Sequence, residues 1–292
     1  LFRSFSHKME QYTGNYLDVV EEIAARVKKE QLLNVRAETN IKKLKAQAGV
    51  FAHKGGKLRG VAKKMRDAAQ EAEEGKVDVR REDKTIKPFS IGTQQFDAFF
   101  DGKIAEITSV SLLKKRKPVT KKLDLTLRRG THLLIAGPNG IGKSTFLEAL
   151  ATEQAEGVTL AEGLKIGYYR QDFSTLDFNQ KAYDSLIDVM GNPIDQNLRE
   201  VASKFLLDGK LLDQTIRDLS EGQKGLLSFA RLVLQKPGLL ILDEPTNHIN
   251  FRHLPIIAKA LDEYEGAMIV VSHLPDFIEQ IRIDETLDLG KI

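Results

Sequence analysis

Residues 137–145 limit what this chain can fold into more than any other part of its sequence. They read GPNGIGKST, follow the apolar run 133–136 and lead into the helix-favouring run 146–150. Glycines at this spacing let the backbone turn so that successive N–H groups and the start of a helix face one point. A buried strand, such a turn and a helix in this order predict a phosphate-binding P-loop in an α/β fold.

The P-loop pattern also predicts roles for two side chains. Lys143 is expected to reach the β- and γ-phosphates of a nucleoside triphosphate, and the Ser144 hydroxyl is expected to bind Mg²⁺. The predicted phosphate-binding residues are Gly137, Pro138, Asn139, Gly140, Ile141, Gly142, Lys143, Ser144 and Thr145.

Apolar and alternating runs around the P-loop predict the rest of the core. The strand patterns occupy residues 104–112, 119–127, 163–171, 239–242 and 267–271. Residues 173–218 contain mainly helical patterns and no strong strand. Strands that alternate with helices and end in polar residues predict a mainly parallel α/β core.

The first part of the chain has a different texture. Apolar spacing predicts one helix from about Tyr16 to Ala48 and a second from about Leu58 to Glu74, separated by glycines at 49, 55 and 56. We expect these helices to form an antiparallel hairpin. Residues 76–87 are mostly charged and are predicted to be a linker.

Charge is distributed unevenly along the chain. Residues 1–87 contain 20 Lys and Arg against 13 Asp and Glu, whereas the remainder contains 24 against 28. Between Arg36 and Arg66 there are ten basic residues and one acidic residue, Glu38. This pattern favours a polyanionic partner for the hairpin, with a merely solvated helical face as the alternative.

Composition restricts where the chain could act. It has no cysteine, and no apolar run reaches the about 20 residues that a membrane-spanning helix needs. The first eight residues lack the apolar core of a signal peptide and begin without Met. We therefore expect a cytoplasmic protein without membrane insertion, and we expect this sequence to be a fragment of a longer chain.

A pair of acids follows the predicted strand at 239–242. Asp243 is expected to hold Mg²⁺, and Glu244 to orient or deprotonate an attacking water. Adjacent acids at a strand end are common by themselves. Their position about 100 residues after a P-loop favours the catalytic interpretation.

The sequence LSEGQ at 219–223 precedes the helical stretch 224–234 and resembles the signature of the ATP-binding cassette (ABC) family. In the order of that family, Gln171 matches its Q-loop glutamine, Asp243 and Glu244 its Walker B pair, and His273 its switch histidine. Locally, Ser220 could be an ordinary helix cap and His273 a loop histidine.

The resemblance implies a P-loop ABC-type α/β domain with a helical subdomain at about 173–235. It implies ATP and Mg²⁺ as ligands, with Ser144, Gln171 and Asp243 at the metal. It also implies ATP hydrolysis that involves Glu244, His273 and Gln171. Two cassettes of this family enclose ATP head to tail, so a second cassette would complete the site. The residues expected to meet the γ-phosphate bound by the facing cassette are Ser220, Gly222 and Gln223.

Two further stretches resemble the ABC-F proteins, which are soluble double-cassette ATPases. EPTNHIN at 244–250 is similar to their EPTNHLD, and YTGNY at 12–16 to the Y-x-G-N-Y that opens their interdomain linker. This resemblance implies that residues 1–11 are a remnant of a preceding cassette, 12–87 a basic hairpin linker and 88–292 an ABC ATPase domain.

ABC-F membership implies ATP-gated binding to the ribosome through the hairpin, which would contact rRNA and tRNA. The role would be that of a translation factor or an antibiotic-resistance protein. Three departures from the family stand out: Asn250 replaces the usual Asp, residues 112–116 offer no aromatic ring for the base, and the second helix is short.

Three other functions stay open from the sequence. The cassette could serve an ABC transporter, it could belong to an ATPase that acts on branched DNA, or it could be structural and never turn over ATP. The EPTNHIN stretch and the basic hairpin argue against the transporter.

Overall fold

The structure is a computed structural model that describes residues 2–3, 8–9, 16–52, 57–74, 84–97, 100–114 and 117–292. It divides into two compact units, Leu1–Lys84 and Thr85–Ile292. Several sequence predictions fall outside the described residues: most of the remnant 1–11, positions 12–15 of the YTGNY motif, hairpin residues 53–56, linker residues 75–83, and residues 115–116.

The first unit is a helical hairpin, as predicted. Strands β1 (Phe2–Arg3) and β2 (Lys8–Met9) pair antiparallel, and the hairpin is formed by α1 (Tyr16–Ala52) and α2 (Lys57–Glu74). The predicted end of α1 at Ala48 is wrong, because the helix continues through Gly49. One glycine costs a helix only about 1 kcal/mol, which a helix of 37 residues tolerates.

Three alanines and one isoleucine are the buried apolar residues of the described part of the hairpin. Ile41 and Ala48 of α1 are buried, as are Ala62 and Ala69 of α2. Alanine side chains let two helices approach closely. The ion pair between Lys45 and Glu73, at 2.7 Å, is exposed and adds little stability.

The basic residues of the hairpin face solvent. Those whose side chains the structure describes are Arg36, Lys42, Lys43, Lys45, Lys63, Lys64 and Arg66, and all are exposed. An outside partner can therefore reach these side chains, although Lys45 already pairs with Glu73.

The second unit contains two sheets. Its strands are β3 (Lys103–Lys114), β4 (Lys117–Arg128), β5 (His132–Ala136), β6 (Val158–Leu160), β7 (Ile166–Tyr169), β8 (Leu239–Asp243), β9 (Ala267–Val271) and β10 (Glu285–Asp288). One sheet has the order β10-β5-β9-β8-β7 and every neighbouring pair is parallel. The other has the order β4-β3-β6 and is antiparallel. The predicted parallel core is confirmed.

The sequence patterns missed two strands for a physical reason. β6 has only three residues, and β10 is an edge strand that contains both Glu285 and Asp288. Neither is a buried apolar run, so their pairing depends on the neighbouring strands.

Helices cover the parallel sheet and form a subdomain beside it. They are α3 (Lys143–Ala151), α4 (Ala182–Ile187), α5 (Asp195–Lys204), α6 (Gly209–Leu212), α7 (Glu221–Gln235), α8 (Leu254–Asp262) and α9 (Pro275–Ile278), with 3₁₀ turns at Ile216–Asp218 and Phe251–His253. The predicted helical stretch 173–218 contains α4 to α6. None of the helices described here has the length and apolar character needed to span a bilayer.

One continuous core joins α3 to both sheets. It contains the buried residues Ile104, Ile107, Phe146, Leu147, Leu239, Ile241 and Ile269. Because β8 and β9 are buried along their whole length, their carboxyl ends are held in fixed positions beside the P-loop.

Segment 85–97 ties the helical subdomain to the parallel core. The Ile86 N–H donates to Nδ1 of His253 at 3.4 Å, and the Phe89 ring lies 4.7 Å from that of Phe205. The Gln94 amide bonds the backbone at Gly163 and Lys165. The helical subdomain and the parallel core are therefore both held by the backbone and side chains of segment 85–97.

The pKa of His253 gives the second unit a pH-dependent stability. Burial lowers this pKa from 6.5 to about 4. The folded protein therefore keeps the imidazole neutral, while the unfolded chain takes up a proton below pH 6.5. Above pH 6.5 this histidine does not lower the free energy of unfolding. Below pH 6.5 that free energy declines as the pH falls towards 4. We expect this group to lower the free energy of unfolding by about 2 kcal/mol between pH 7 and pH 5.

Urea unfolding at both pH values, for the wild type and His253→Asn, measures this effect. Asparagine can still accept the Ile86 hydrogen bond but does not titrate. Carboxylates contribute equally to the pH dependence of both proteins, so the difference between the two pH dependences reports on His253. Equal pH dependence in the two proteins would contradict the prediction.

Candidate functional site

The P-loop turns between the end of β5 and the start of α3. Gly140 and Gly142 have φ of 77° and 107°, the left-handed region that side chains with a Cβ rarely adopt. Gly142 is also the N-cap of α3. The loop therefore presents the first turn of a nine-residue helix at the edge of the parallel sheet.

The side chain of Lys143 folds back into the P-loop turn that precedes this residue. Its ammonium donates to the carbonyl oxygens of Gly137 at 2.7 Å and Pro138 at 3.3 Å, and the residue is only 8% exposed. These contacts fix a positive charge within the curve of the loop, where a phosphate group would bind.

A cavity of about 470 Å³ opens beside this loop. It is lined by Asn139, Gly140, Gly142, Lys143, Ser144, Thr145, Gln171, Asp243, Glu244, Asn247, Val271 and His273. The structure thus brings the P-loop, Gln171, both acids and His273 together, as predicted from four separate stretches. Gly137, Pro138 and Ile141 do not line the cavity and instead support the loop.

Asp243 ends β8 with its carboxylate buried. The residue is 2% exposed, and its Oδ1 accepts no hydrogen bond from any residue that the structure describes. Burial raises the pKa of this carboxyl, against opposing effects of the Ser144 hydroxyl and of Arg170 and Lys143. A buried oxygen of this kind requires a partner, because an unsatisfied one is costly.

Glu244 follows in a left-handed conformation with φ of 49°. Its N–H donates to the Val271 carbonyl at 2.9 Å, and its Oε2 accepts from the His273 N–H at 3.2 Å. The His273 Nε2 lies 3.3 Å from Oε1. Burial raises the pKa of Glu244, while the hydrogen bond and charge of His273 oppose the rise. This carboxylate is held firmly and faces the cavity.

These residues fit a magnesium ion. Asp243 Oδ1 is a buried oxygen without a hydrogen bond, and the Ser144 hydroxyl and Gln171 amide line the same cavity. Within the described ranges, no three His, Cys, Asp or Glu residues cluster as a metal site. A cation here would therefore need phosphate oxygens as further ligands, which is how Mg²⁺ usually binds.

The signature residues lie outside the cavity. Ser220 is the N-cap of α7, and it exchanges two hydrogen bonds with Gln223: Gln223 N–H to Ser220 Oγ at 3.3 Å, and Ser220 N–H to Gln223 Oε1 at 2.8 Å. Ser220 is thus a helix cap, which was the alternative to a ligand-binding role, and Gln223 takes part in the same cap. A contact of Ser220, Gly222 and Gln223 with a nucleotide stays a prediction.

One of the three departures from the family, Asn250, has a structural role. Asn250 caps the 3₁₀ turn Phe251–His253, since its Oδ1 accepts from the Arg252 N–H at 3.1 Å. An aspartate would accept the same bond, so the amide preserves the local fold. Residues 115–116, part of the stretch 112–116 that has no aromatic residue, lie outside the described ranges.

Sequence reasoning missed two features of the site. Asn247 lines the cavity and belongs to the EPTNHIN stretch, whose resemblance could have identified it. Arg170 forms a two-bonded pair with Glu148, and no local pattern connects these residues.

Comparison with known proteins agrees with this geometry. A family model described as "ABC transporter" matches residues 120–247. The protein named as ATP-binding protein YdiF, from Bacillus subtilis, is 34% identical over 171 residues, which cover 58% of this chain and 27% of YdiF. The protein named as ATP-binding protein YbiT, from Escherichia coli O157:H7, is 30% identical over 278 residues, 92% of this chain and 51% of YbiT. The chain thus spans about a quarter to half of the length of these relatives.

A solved structure has the same fold as the second unit. The dimeric structure of MJ0796, a bacterial ABC transporter cassette, matches with a TM-score of 0.51 at 19% identity, covering 64% of this chain and 94% of that one. The predicted P-loop ABC-type α/β fold is confirmed.

Replacing Asp243 by Asn should separate cation binding from nucleotide binding. Without the carboxylate, we expect the gain in ATP affinity that Mg²⁺ provides to fall at least tenfold, or about 1.4 kcal/mol. ATP affinity in EDTA should change less than about threefold, a factor well below that loss. Isothermal titration calorimetry measures both. Asp276→Asn, on the exposed first turn of α9, is the control. An unchanged Mg²⁺ response in Asp243→Asn would contradict the assignment.

Proposed function

The chain carries an ATP-binding domain of the ABC type, and from this premise we propose that it hydrolyses ATP and binds the ribosome only while ATP is bound. The arrangement of Glu244 supports hydrolysis. The exposed basic hairpin and the EPTNHIN stretch support the ribosome as partner.

Hydrolysis would begin at Glu244. Its carboxylate, held by the His273 N–H, accepts a hydrogen bond from a water and orients that water towards the γ-phosphorus. The water oxygen forms a bond to phosphorus as the bond from phosphorus to the β–γ bridging oxygen breaks. The proton of the water passes to Glu244, and ADP and phosphate are the products. His273 lines the same cavity and would also contact the γ-phosphate.

The remaining residues bind and neutralise charge. Lys143 and the N–H groups of the P-loop bind the β- and γ-phosphates. Mg²⁺, held by Ser144 and Asp243 with Gln171 nearby, would neutralise negative charge on the phosphates. These groups are already converged in the cavity, so little reorganisation is needed.

A second cassette would complete the site. Ser220 and Gly222 lie at the start of α7 and do not line the cavity beside the P-loop. They would serve a nucleotide on a facing cassette, where a helix N-terminus adds N–H donors and favours negative charge. YbiT, which aligns with 92% of this chain, has about as much chain again beyond the aligned part.

The hairpin would supply the contact with the ribosome. Seven described basic side chains between Arg36 and Arg66 are exposed, on a unit separate from the nucleotide cavity. Exposed lysine and arginine bind rRNA or tRNA phosphates, and such binding weakens as salt rises. ATP binding would close two cassettes and favour the ribosome-bound form, and hydrolysis would release it. Translation factor and antibiotic-resistance protein are both compatible with this cycle, which would take place in the cytoplasm.

A transporter subunit is the second candidate, favoured by the description of the family model. An ATPase that acts on branched DNA would use the same basic surface. Fractionation of membranes and competition between ribosomes and branched DNA at matched salt distinguish these functions.

Replacing Glu244 by Gln should stop turnover and preserve nucleotide binding. Loss of the base is expected to lower phosphate release by at least about 100-fold. ATP affinity should stay within about twofold of the wild type, since binding energy comes from other groups. The assay needs the longer protein with its second cassette, whose matching glutamate is also replaced. Glu279→Gln, an exposed residue of the same charge, is the control. Normal phosphate release from the Glu244→Gln protein would contradict the role of Glu244.

The same non-hydrolysing protein tests the ribosome. Sedimentation with purified ribosomes should show binding with ATP and none without it. Replacing Lys42, Lys63 and Lys64 by Glu should weaken binding at least about tenfold and reduce its salt dependence. The matched control replaces three exposed lysines of the cassette, Lys122, Lys165 and Lys210, by Glu. If the non-hydrolysing protein does not sediment with ribosomes in the presence of ATP, the ribosomal function is wrong. The phosphate-release assay tests hydrolysis independently of this result.

A further inference from the structure

Arg170 lies directly before Gln171 and joins the two segments beside the cavity. Its Nη1 donates to Oε1 of Glu148 at 2.7 Å, and its Nη2 donates to Oε2 at 3.1 Å. Glu148 is on α3, four residues after Ser144 and therefore on the same side of the helix. The guanidinium thus connects the turn that contains Gln171 to the helix that contains Ser144.

The same guanidinium also contacts the residue after Gln171. Its Nε lies 3.3 Å from Oδ1 of Asp172. That oxygen accepts from the Ser174 N–H at 3.0 Å and the Ser174 hydroxyl at 2.7 Å. Arg170 therefore fixes the backbone on both sides of Gln171, through α3 and through the turn that follows.

This contact is stronger and more specific than a usual surface ion pair. The Arg170 side chain is 26% exposed, and its two parallel hydrogen bonds to one carboxylate fix orientation as well as distance. A lysine could keep the charge but could not make both bonds. The guanidinium is also within electrostatic range of Asp243.

We propose that Arg170 is a positioning residue that sets how strongly Mg²⁺ increases nucleotide affinity. The two neutral oxygen donors of the candidate cation site, Ser144 and Gln171, lie on different segments, and Arg170 holds these segments together. Mg²⁺ demands near-ideal geometry from its ligands, so a small separation of the two segments lowers its affinity. The inference rests on nucleotide binding by the cavity and is independent of the ribosomal proposal.

Charge and geometry can be separated with two conservative variants. Arg170→Lys leaves the net charge unchanged and removes the paired hydrogen bonds. Glu148→Gln removes one negative charge and also removes the pairing. If position matters, both variants require more Mg²⁺. If only charge matters, Arg170→Lys behaves as the wild type and Glu148→Gln alone changes.

The experiment titrates the full chain with the β,γ-imido analogue of ATP by calorimetry, in EDTA and over a series of Mg²⁺ concentrations. We expect the half-saturating Mg²⁺ concentration to rise about tenfold in each variant, with affinity in EDTA unchanged. The double variant should need no more Mg²⁺ than the more affected single variant, because the two single substitutions break the same contact. Thermal unfolding of each protein reports on folding.

Arg199→Lys is the matched control. Arg199 also makes two bonds to one carboxylate, Nε to Oδ1 and Oδ2 of Asp195 at 3.1 and 2.9 Å, but on α5 and outside the cavity. Its Mg²⁺ response should equal that of the wild type. An Mg²⁺ requirement in Arg170→Lys within twofold of the wild type would overturn the proposal, as would an equal shift in Arg199→Lys. A wild type that binds the analogue without responding to Mg²⁺ would overturn it as well.

Discussion

The candidate site of the second unit depends on two carboxylates that are buried at the end of an interior strand, β8. Asp243 is 2% exposed and Glu244 is 8% exposed, because β8 lies between β7 and β9 and every residue of it is buried. Taking ionised groups out of water is unfavourable unless other charges or donors compensate. Lys143, the Ser144 hydroxyl and the His273 N–H supply part of this compensation. The oxygens that still lack a hydrogen bond face the place where a cation and a water would bind.

Rigid neighbours make this arrangement possible. The core that joins α3 to both sheets fixes the P-loop relative to β8 and β9. Segment 85–97 holds the helical subdomain to the same core through His253 and Phe89. Signature residues at the start of α7 are therefore displayed away from the cavity, and their cap is complete within the chain. This placement supports the proposal that these residues contact the nucleotide of a second cassette.

Local sequence patterns predicted much of this structure because the relevant signals are short. The P-loop, the strands β8 and β9, and the hairpin each follow from contiguous residues whose spacing determines one backbone shape. The errors also have local causes. Gly49 does not end α1, since one exposed glycine costs a long helix only about 1 kcal/mol. Strand β10 has no apolar run of its own and forms by pairing with β5.

The P-loop, the acid pair after a buried strand and the basic helical hairpin are each contiguous patterns, and all three can be predicted from the sequence. Which side chains share the cavity and which support it depends on how distant segments pack together. Asn247 enters the cavity through the turn after β8, while Ser220 and Gln223 cap a helix outside it. Arg170 meets Glu148 across 22 residues, and no spacing along the chain encodes that meeting. Such contacts arise from the packing of β7 beside β8 and of α3 against the sheet, which the whole chain determines.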